Sequence, residues 1–379
     1  MPDLVAIDLA GGPEFVDVLV KAWDAGDAVL PLDQRLSDQA KKRVVDAMRP
    51  ARVVDATGEQ RHAGVSEPVE AGDALVIATS GTTGEAKGVV LTMSAVEASA
   101  RATSARLGVD PQRHRWLACL PLNHVGGLSV VTRSLVTGTP CTVLGGFDAT
   151  RVEDAAGPDV FVSLVATALQ RISALRFHTV VLGGSAPPAQ VPPNVVTTYG
   201  MTETGSGVVY DGVPLDGVEV SVEAGASEIR LRCPMLLRCY RDGSVPLDAE
   251  GWFATGDSGR IDAAGRLQVH GRLTDLIISG GENVWPALVE AAIRSHPRVA
   301  EVAVAGVPDP EWGQRVVAWV VPTDSGEPPA SSELRALVAE QVAPYAAPKE
   351  VVVVSELPKT SIGKVRRDRL MSGEASSER

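Results

Sequence analysis

Residues 79–88 read Thr79-Ser80-Gly81-Thr82-Thr83-Gly84-Glu85-Ala86-Lys87-Gly88, directly after the apolar run Ala74 to Ala78. Glycines let a backbone turn sharply and approach a charged ligand, so successive N–H groups, four hydroxyls and one ammonium can face phosphate oxygens. The stretch is built to hold polyphosphate. Its spacing is not that of a Walker A loop, because Lys87 follows Gly84 by three residues and precedes Gly88. Gly/Ser/Thr clusters also make plain turns, so the company this loop keeps decides between the two.

Around the loop, from residue 74 to about 200, short β-branched runs alternate with helix-like segments. Ala74 to Ala78, Trp116 to Leu120, Cys141 to Leu144, Val160 to Val165, Thr179 to Leu182 and Val195 to Thr198 read as strands. Ser94 to Leu107, capped at Ser94, reads as a helix, as do Gly127 to Val136 and Ala166 to Leu175. Such alternation predicts a mainly parallel sheet covered by helices. Past residue 205, short strands with Gly and Asp turns, such as Glu228 to Arg232 and Arg266 to His270, predict an antiparallel or barrel-like subdomain. The last hundred residues predict an α+β unit: helix Pro286 to Ser295, strands Val299 to Val307 and Val316 to Val321, helix Ser332 to Val342 and strand Val351 to Val354. The fold class is therefore α/β, with layered mainly parallel sheets and a β-rich subdomain in a large domain over 1–271. A hinge at 272–276 and a small mobile α+β domain over 277–379 follow.

A chain of 379 residues is long enough for two or three domains and for an enzyme. Lys and Arg number 35 against 47 Asp and Glu, a net charge of 35 − 47 = −12, which argues against nucleic acid as the main partner. An anionic ligand would need local cations. Cys119, Cys141, Cys233 and Cys239 lack paired metal spacing and read as reduced thiols of a cytoplasmic protein. No signal peptide and no run of 18 apolar residues is seen, so no membrane partner is expected. The partners expected are small molecules and, at most, a second copy in a homodimer.

Four further segments accompany the loop: Tyr199-Gly200-Met201-Thr202-Glu203-Thr204-Gly205, Gly251-Trp252-Phe253-Ala254-Thr255-Gly256-Asp257, Gly271-Arg272-Leu273-Thr274-Asp275 with Gly280-Gly281-Glu282-Asn283, and Pro358-Lys359-Thr360-Ser361-Ile362-Gly363-Lys364. Glu203, flanked by Thr202 and Thr204, offers hard oxygens suited to Mg²⁺, the alternative being a solvated loop glutamate. Tyr199, beside Gly200 and Met201, can present a flat face to adenine or simply pack. Gly183-Gly184-Ser185 follows a strand, where open α/β sheets place ligands, although an ordinary turn looks the same. Asp257 can accept two ribose hydroxyls or cap its own turn. Lys364, on a Gly-preceded loop, can reach between two anions that must approach each other, whereas Arg366, Arg367 and Arg369 nearby would also suit a solvated basic tail.

Together, and in this order, the five segments resemble the core motifs of the adenylate-forming superfamily of acyl-CoA synthetases, luciferases and peptide-synthetase adenylation domains. The resemblance covers about residues 74 to 368, and the phosphate loop usually stands deeper in such chains, so the first subdomain looks shortened. It implies ATP, Mg²⁺ and, for a ligase, CoA as co-substrate. It also implies catalytic roles for Lys364, Thr202 and Glu203, nucleotide contacts from Thr79 to Gly84, Lys87, Gly183 to Ser185, Tyr199 to Met201, Asp257 and Arg272, and a rotating C-terminal domain. The family's pivot position is occupied by Thr274, with Asp275 next, which departs from its usual Asp or Lys.

Within Leu120-Pro121-Leu122-Asn123-His124-Val125-Gly126-Gly127-Leu128, His124 suits an acyl-pocket wall or a packed core histidine. Arg133 interrupts the apolar run Leu128 to Val136, and a charge there is costly unless paired, either with a second carboxylate on the substrate or with an internal Asp or Glu. Ser185 is the other candidate for the acid. A histidine followed nine residues later by an arginine in a short chain is similar to o-succinylbenzoate-CoA ligases, particularly compact actinobacterial ones, and implies a dicarboxylic acid in menaquinone synthesis. Another acyl- or aryl-CoA ligase, a stand-alone enzyme loading a carrier protein, and a nucleotide-binding regulator are the competing readings.

Overall fold

The computed structural model describes residues 1–62, 64–80, 86–188, 190–223, 227–359 and 365–371. Chain contacts divide it into two compact units. The first comprises Met1–Pro187, Val191–Val220 and Arg230–Ala254; the second comprises Pro188–Gln190, Ser221–Ile229 and Thr255–Arg379. The hinge expected at 272–276 lies within the second unit.

In the first unit, the strands expected between residues 74 and 200 are present but belong to two different sheets. One seven-stranded sheet runs in the order Cys239–Tyr240, Ala86–Thr92, Asp73–Ser80, Ala28–Pro31, Leu4–Asp8, Arg52–Asp55, Gly58–Arg61. Its N-terminal half is parallel, Leu4–Asp8 lying between Ala28–Pro31 and Arg52–Asp55 with helices Pro13–Asp24 and Asp38–Met48 in the crossovers. Leu4, Ala6, Leu30 and Val76 are almost fully buried on this sheet because alternate β-branched and aliphatic residues present one face to a common core. The second seven-stranded sheet runs Val213–Pro214, Gly207–Tyr210, Val195–Gly200, Thr179–Leu182, Val160–Leu164, Arg115–Ala118, Cys141–Val143, with the last five strands parallel to one another. Its strands are near-continuous apolar runs, as a sheet buried on both faces requires.

Helix Met93–Leu107 starts one residue before the expected boundary. Thr92, not Ser94, is its cap: the Thr92 hydroxyl accepts from Ala95 N–H at 3.2 Å, and Gly108 closes the other end with a left-handed φ of 65°. The expected helix Ala166 to Leu175 is shorter. It stops at Leu169 and resumes as a 3₁₀ turn at Ala174–Arg176, where the Asn194 amide donates to the Ala174 and Phe177 carbonyls at 2.8 and 2.9 Å. A long-range partner thus competes with local helix continuation.

Strands Glu219–Val222, Glu228–Arg232, Phe253–Ile261 and Leu267–Arg272 form a four-stranded sheet in that order, the last two antiparallel, which is the antiparallel one of the two arrangements expected here. The C-terminal part is a five-stranded sheet, with Val299–Asp309 antiparallel to Gly313–Pro322 and Glu350–Val353 parallel to it, covered by helices Pro286–Arg294 and Ser331–Gln341. Val289, Ile293, Val304, Val316 and Leu334 form its core. No helix among the described residues is long and apolar enough to cross a membrane. All four cysteines are free, and burial pushes the Cys119 thiol up to about 12.

A buried carboxylate joins the edge strand to the rest of the first sheet. Asp73, 4% exposed, accepts from the Arg238 guanidinium through both oxygens, at 2.9 and 2.8 Å, and from Glu70 N–H at 2.9 Å. Removing the cation strands a desolvated charge. Arg238 is about one-third exposed, so water recovers part of the loss: Arg238→Ala is expected to lower unfolding stability by roughly 2 kcal/mol in urea titrations at unchanged m-value. A change below about 0.5 kcal/mol would show the pair to be a surface contact.

Candidate active site

The phosphate-loop segment is the connection of a hairpin. Strands Asp73–Ser80 and Ala86–Thr92 pair antiparallel, Thr79 opposite Lys87 and Ser80 opposite Ala86. Gly81, Thr82, Thr83 and Gly84 lie outside the described residues. At the hairpin's end the Thr79 hydroxyl donates to the Lys87 carbonyl at 3.2 Å. Lys87 is exposed, and its Nζ stands 5.4 Å from the centroid of the Tyr240 ring.

Tyr240 reaches the second motif. Its hydroxyl donates to Glu203 Oε1 at 3.0 Å, and Leu237 N–H donates to the Glu203 carbonyl at 2.8 Å. Glu203 is half-buried in a 3₁₀ turn, Thr202–Thr204, that follows the strand Val195–Gly200. Thr204, fully buried, fastens the turn: its hydroxyl accepts from Met201 N–H at 2.9 Å and lies 2.7 Å from the Ser206 carbonyl. Gly200 is demanded by the same tight return, since a Cβ there would lie 2.2 Å from the Ser206 carbonyl oxygen. Tyr199 precedes it on the strand, half-buried, at a register shift that re-aims the chain. The sequence-predicted Lys87 and Glu203 thus meet at one phenol that the motifs did not single out, and Thr202 begins the turn that carries Glu203. A tyrosine ending a two-residue edge strand carries no pattern of its own.

The residues fit a Mg²⁺ bound through one carboxylate and substrate phosphates. Glu203 Oε1 is engaged by Tyr240, and Oε2 makes no hydrogen bond or ion pair among the described residues. A hard cation that keeps several waters needs no more from the protein. No group of three or more His, Cys, Asp or Glu among the described residues could hold a metal.

Gly183, Gly184 and Ser185 follow Thr179–Leu182 at the carboxyl end of the second sheet. Gly184 and Ser185 are exposed, and a Cβ on Gly183 would meet the Thr198 hydroxyl at 2.7 Å. This is the sheet end where ligands bind in open α/β folds.

His124 caps the start of helix Val125–Thr137, half-buried, its Nε2 3.3 Å from the Arg35 guanidinium, which itself pairs with Asp33 at 2.7 Å. A guanidinium only donates, so Nε2 is the acceptor and the ring is neutral. Burial, then the Arg35 charge, hold its pKa below the usual histidine value, with Asp33 opposing.

Arg133 lies further along the same helix, about 13 Å by helical rise, and is only 2% exposed. Its guanidinium stacks 4.6 Å over the Trp116 ring, and its Nε and Nη1 are buried without a hydrogen-bond partner. Among the described residues no Asp or Glu pairs with it. Between this helix and Met93–Leu107 lies a small apolar cavity lined by Leu75, Leu91, Ala95, Leu128, Ser129 and Gly205, among others.

In the second unit, Asp257 and Arg272 face each other across paired strands. Arg272 Nε lies 2.8 Å from Asp257 Oδ1, its Nη1 donates to the Thr255 carbonyl at 3.3 Å, and Asp257 is 6% exposed. Lys364 lies outside the described residues. Its flanks are fastened: Lys359 pairs with Glu301 at 2.7 Å and bridges to Val365, Arg366 N–H donates to the Pro358 carbonyl at 2.7 Å, and Arg367 pairs with Glu290 at 2.6 Å and Asp275 at 3.4 Å.

The chain is similar to known proteins in both sequence and fold. Residues 16–227 match the AMP-binding enzyme family and 288–364 the AMP-binding enzyme C-terminal domain. A probable 2-succinylbenzoate–CoA ligase of Mycobacterium tuberculosis is 39% identical over 368 residues, covering 89% of this chain and 95% of that protein. The 2-succinylbenzoate–CoA ligase of Bacillus velezensis is 32% identical, covering 97% and 87%. Among solved structures, the o-succinylbenzoate CoA synthetase of Bacillus subtilis in complex with the acyl-adenylate OSB-AMP superposes with a TM-score of 0.84 at 28% identity, over 100% of this chain and 88% of that one. The same enzyme with ATP and magnesium ion gives 0.81 over 97% and 89%. The chain therefore belongs to the adenylate-forming AMP-binding enzymes, on the branch whose members are named 2-succinylbenzoate–CoA ligases.

Proposed function

We propose that this protein is an ATP- and Mg²⁺-dependent carboxylate–CoA ligase whose acid is o-succinylbenzoate, serving menaquinone synthesis. The observation that supports adenylation most directly is Glu203, held by Tyr240 beside Lys87 at the end of the phosphate hairpin. In the first half-reaction a substrate carboxylate oxygen attacks the α-phosphorus and pyrophosphate leaves. In the second, the CoA sulfur attacks the acyl carbon and AMP leaves. Bound Mg²⁺ would neutralise phosphate charge. Glu203 would hold it, Lys87 and the Thr79 to Gly84 backbone would bind phosphate oxygens, and Asp257 with Arg272 would take the ribose. Gly183 to Ser185 and Tyr199 to Met201 would border the adenine, and Ser185 the acid.

Lys364 is assigned to the approach of the two anions. Unit charges at ~4 Å repel by about 1 kcal/mol in water and about 4 kcal/mol at an effective dielectric of 20, so a placed ammonium matters most in a closed site. Lys364→Ala is expected to reduce adenylation at least about 100-fold while sparing thioester formation from a preformed acyl-adenylate, with 272–276 as the hinge between the two steps. Equal losses in both half-reactions would remove Lys364 from that role.

The dicarboxylic acid is supported by Arg133. A desolvated guanidinium with two buried nitrogens lacking acceptors among the described residues demands an anion, and the succinyl carboxylate offers two oxygens in a matching fork. His124, neutral at the start of the same helix, would line the acyl pocket. Arg133→Met is expected to raise KM for o-succinylbenzoate by about tenfold or more and to leave KM for benzoate unchanged. An unaltered preference would take Arg133 out of the pocket.

The deciding assay is ATP–pyrophosphate exchange across a panel of aromatic acids, followed by AMP release with free CoA. Exchange dependent on o-succinylbenzoate, with CoA as acceptor, is expected. Exchange with another acid only would move the substrate assignment, and transfer only to a carrier protein would move the acceptor. The small soluble substrates fit a cytoplasmic site of action and need no assembly beyond a homodimer.

A further inference from the structure

We propose that Tyr240 is a positioning residue for adenylation, orienting the carboxylate of Glu203 toward the metal and seating the ammonium of Lys87 on its ring. This rests on the assignment of Glu203 as the Mg²⁺ ligand. Two contacts from one side chain carry it: the hydroxyl donates to Glu203 Oε1 at 3.0 Å, and the ring face lies 5.4 Å from Lys87 Nζ. A phenol that occupies one carboxylate oxygen fixes the rotation of the group and presents the other, the role that outer hydrogen-bond partners play for ligating carboxylates generally. The ring meanwhile offers its negative face to the cation that must meet phosphate.

Tyr240 is itself held from several directions. Its strand Cys239–Tyr240 pairs with Ala86–Thr92, Tyr240 opposite Val89, which fixes it two residues from Lys87 along the hairpin. The chain turns immediately after it, with Tyr240 N–H donating to the Ser244 carbonyl at 2.8 Å and Gly243 N–H to the Tyr240 carbonyl at 2.9 Å. The Arg241 side chain donates to the carbonyls of Met48 at 3.1 Å, Pro68 at 3.0 Å and Glu67. Arg238 is locked to Asp73 on the other side. With the chain anchored on both sides of it, at Arg238 and Arg241, the phenol is held against Glu203 and Lys87.

Three variants separate the possibilities, each compared with wild type by electron paramagnetic resonance titration of Mn²⁺ into the ATP-bound protein without any carboxylic acid. Tyr240→Phe, which keeps the ring and loses the hydroxyl, is expected to weaken Mn²⁺ binding about tenfold. ATP affinity without metal, melting temperature and the thioester half-reaction from preformed acyl-adenylate should be unchanged. Tyr240→Leu should show the same metal defect and, in addition, weaker ATP binding. Glu203→Gln should weaken Mn²⁺ binding at least as much as Tyr240→Phe. A metal defect in Glu203→Gln with none in Tyr240→Phe overturns the positioning role alone. Unchanged Mn²⁺ binding in Glu203→Gln overturns the metal assignment and this inference with it. A lowered melting temperature in Tyr240→Phe with equal losses in both half-reactions would reduce Tyr240 to a packing residue.

Discussion

The ion pair between Asp73 and Arg238 is the constraint from which the phosphate end of the first unit is built. Asp73 begins one strand of the hairpin, and its carboxylate is out of water. A desolvated carboxylate is tolerable only with a cation and donors around it. Meeting that demand with Arg238 brings a segment 165 residues away alongside the hairpin, where Cys239 and Tyr240 add an edge strand in register with Val90 and Val89. From there the order of residues along the strand does the rest, because the next side chain after Cys239 reaches both Glu203 and Lys87.

A net charge of −12 makes the protein's own field unfavourable to a triphosphate and a dicarboxylate. The described structure answers locally, with cations given defined neighbours. Lys87 rests on an aromatic face and Arg133 on Trp116. Arg272 is paired with Asp257 in the second unit. The two cations differ in how water enters the balance: Lys87 is exposed and screened, whereas Arg133 is dry, where a charge interacts far more strongly with whatever neighbours it.

Much of the secondary structure was legible because it is local. Thr179–Leu182 and Glu228–Arg232 stand where their β-branched patterns end, and helix Val125–Thr137 brackets the expected Gly127 to Val136. The division of the strands between two sheets was not legible, since period-two patterning says which face is buried but not which neighbour pairs. Nor was the contribution of the first seventy residues, whose three parallel strands complete the hairpin's sheet without any motif. The truncated helix at Ala166 failed for the same reason, because the amide of Asn194 that takes its later carbonyls is distant in sequence.

What the amino-acid order determined by itself was the chemistry available: a glycine-hydroxyl loop, a carboxylate between threonines, a lysine after glycine, and an arginine in an apolar helix, each recognisable because backbone freedom and side-chain charge are properties of single residues. Which of these meet was decided only by the tertiary structure. The partnership of Glu203 with Tyr240, and the packing of Arg133 against Trp116 with no acid beside it among the described residues, depend on strand order and burial. Those arise from long-range pairing and the expulsion of water, which no short stretch of chain encodes.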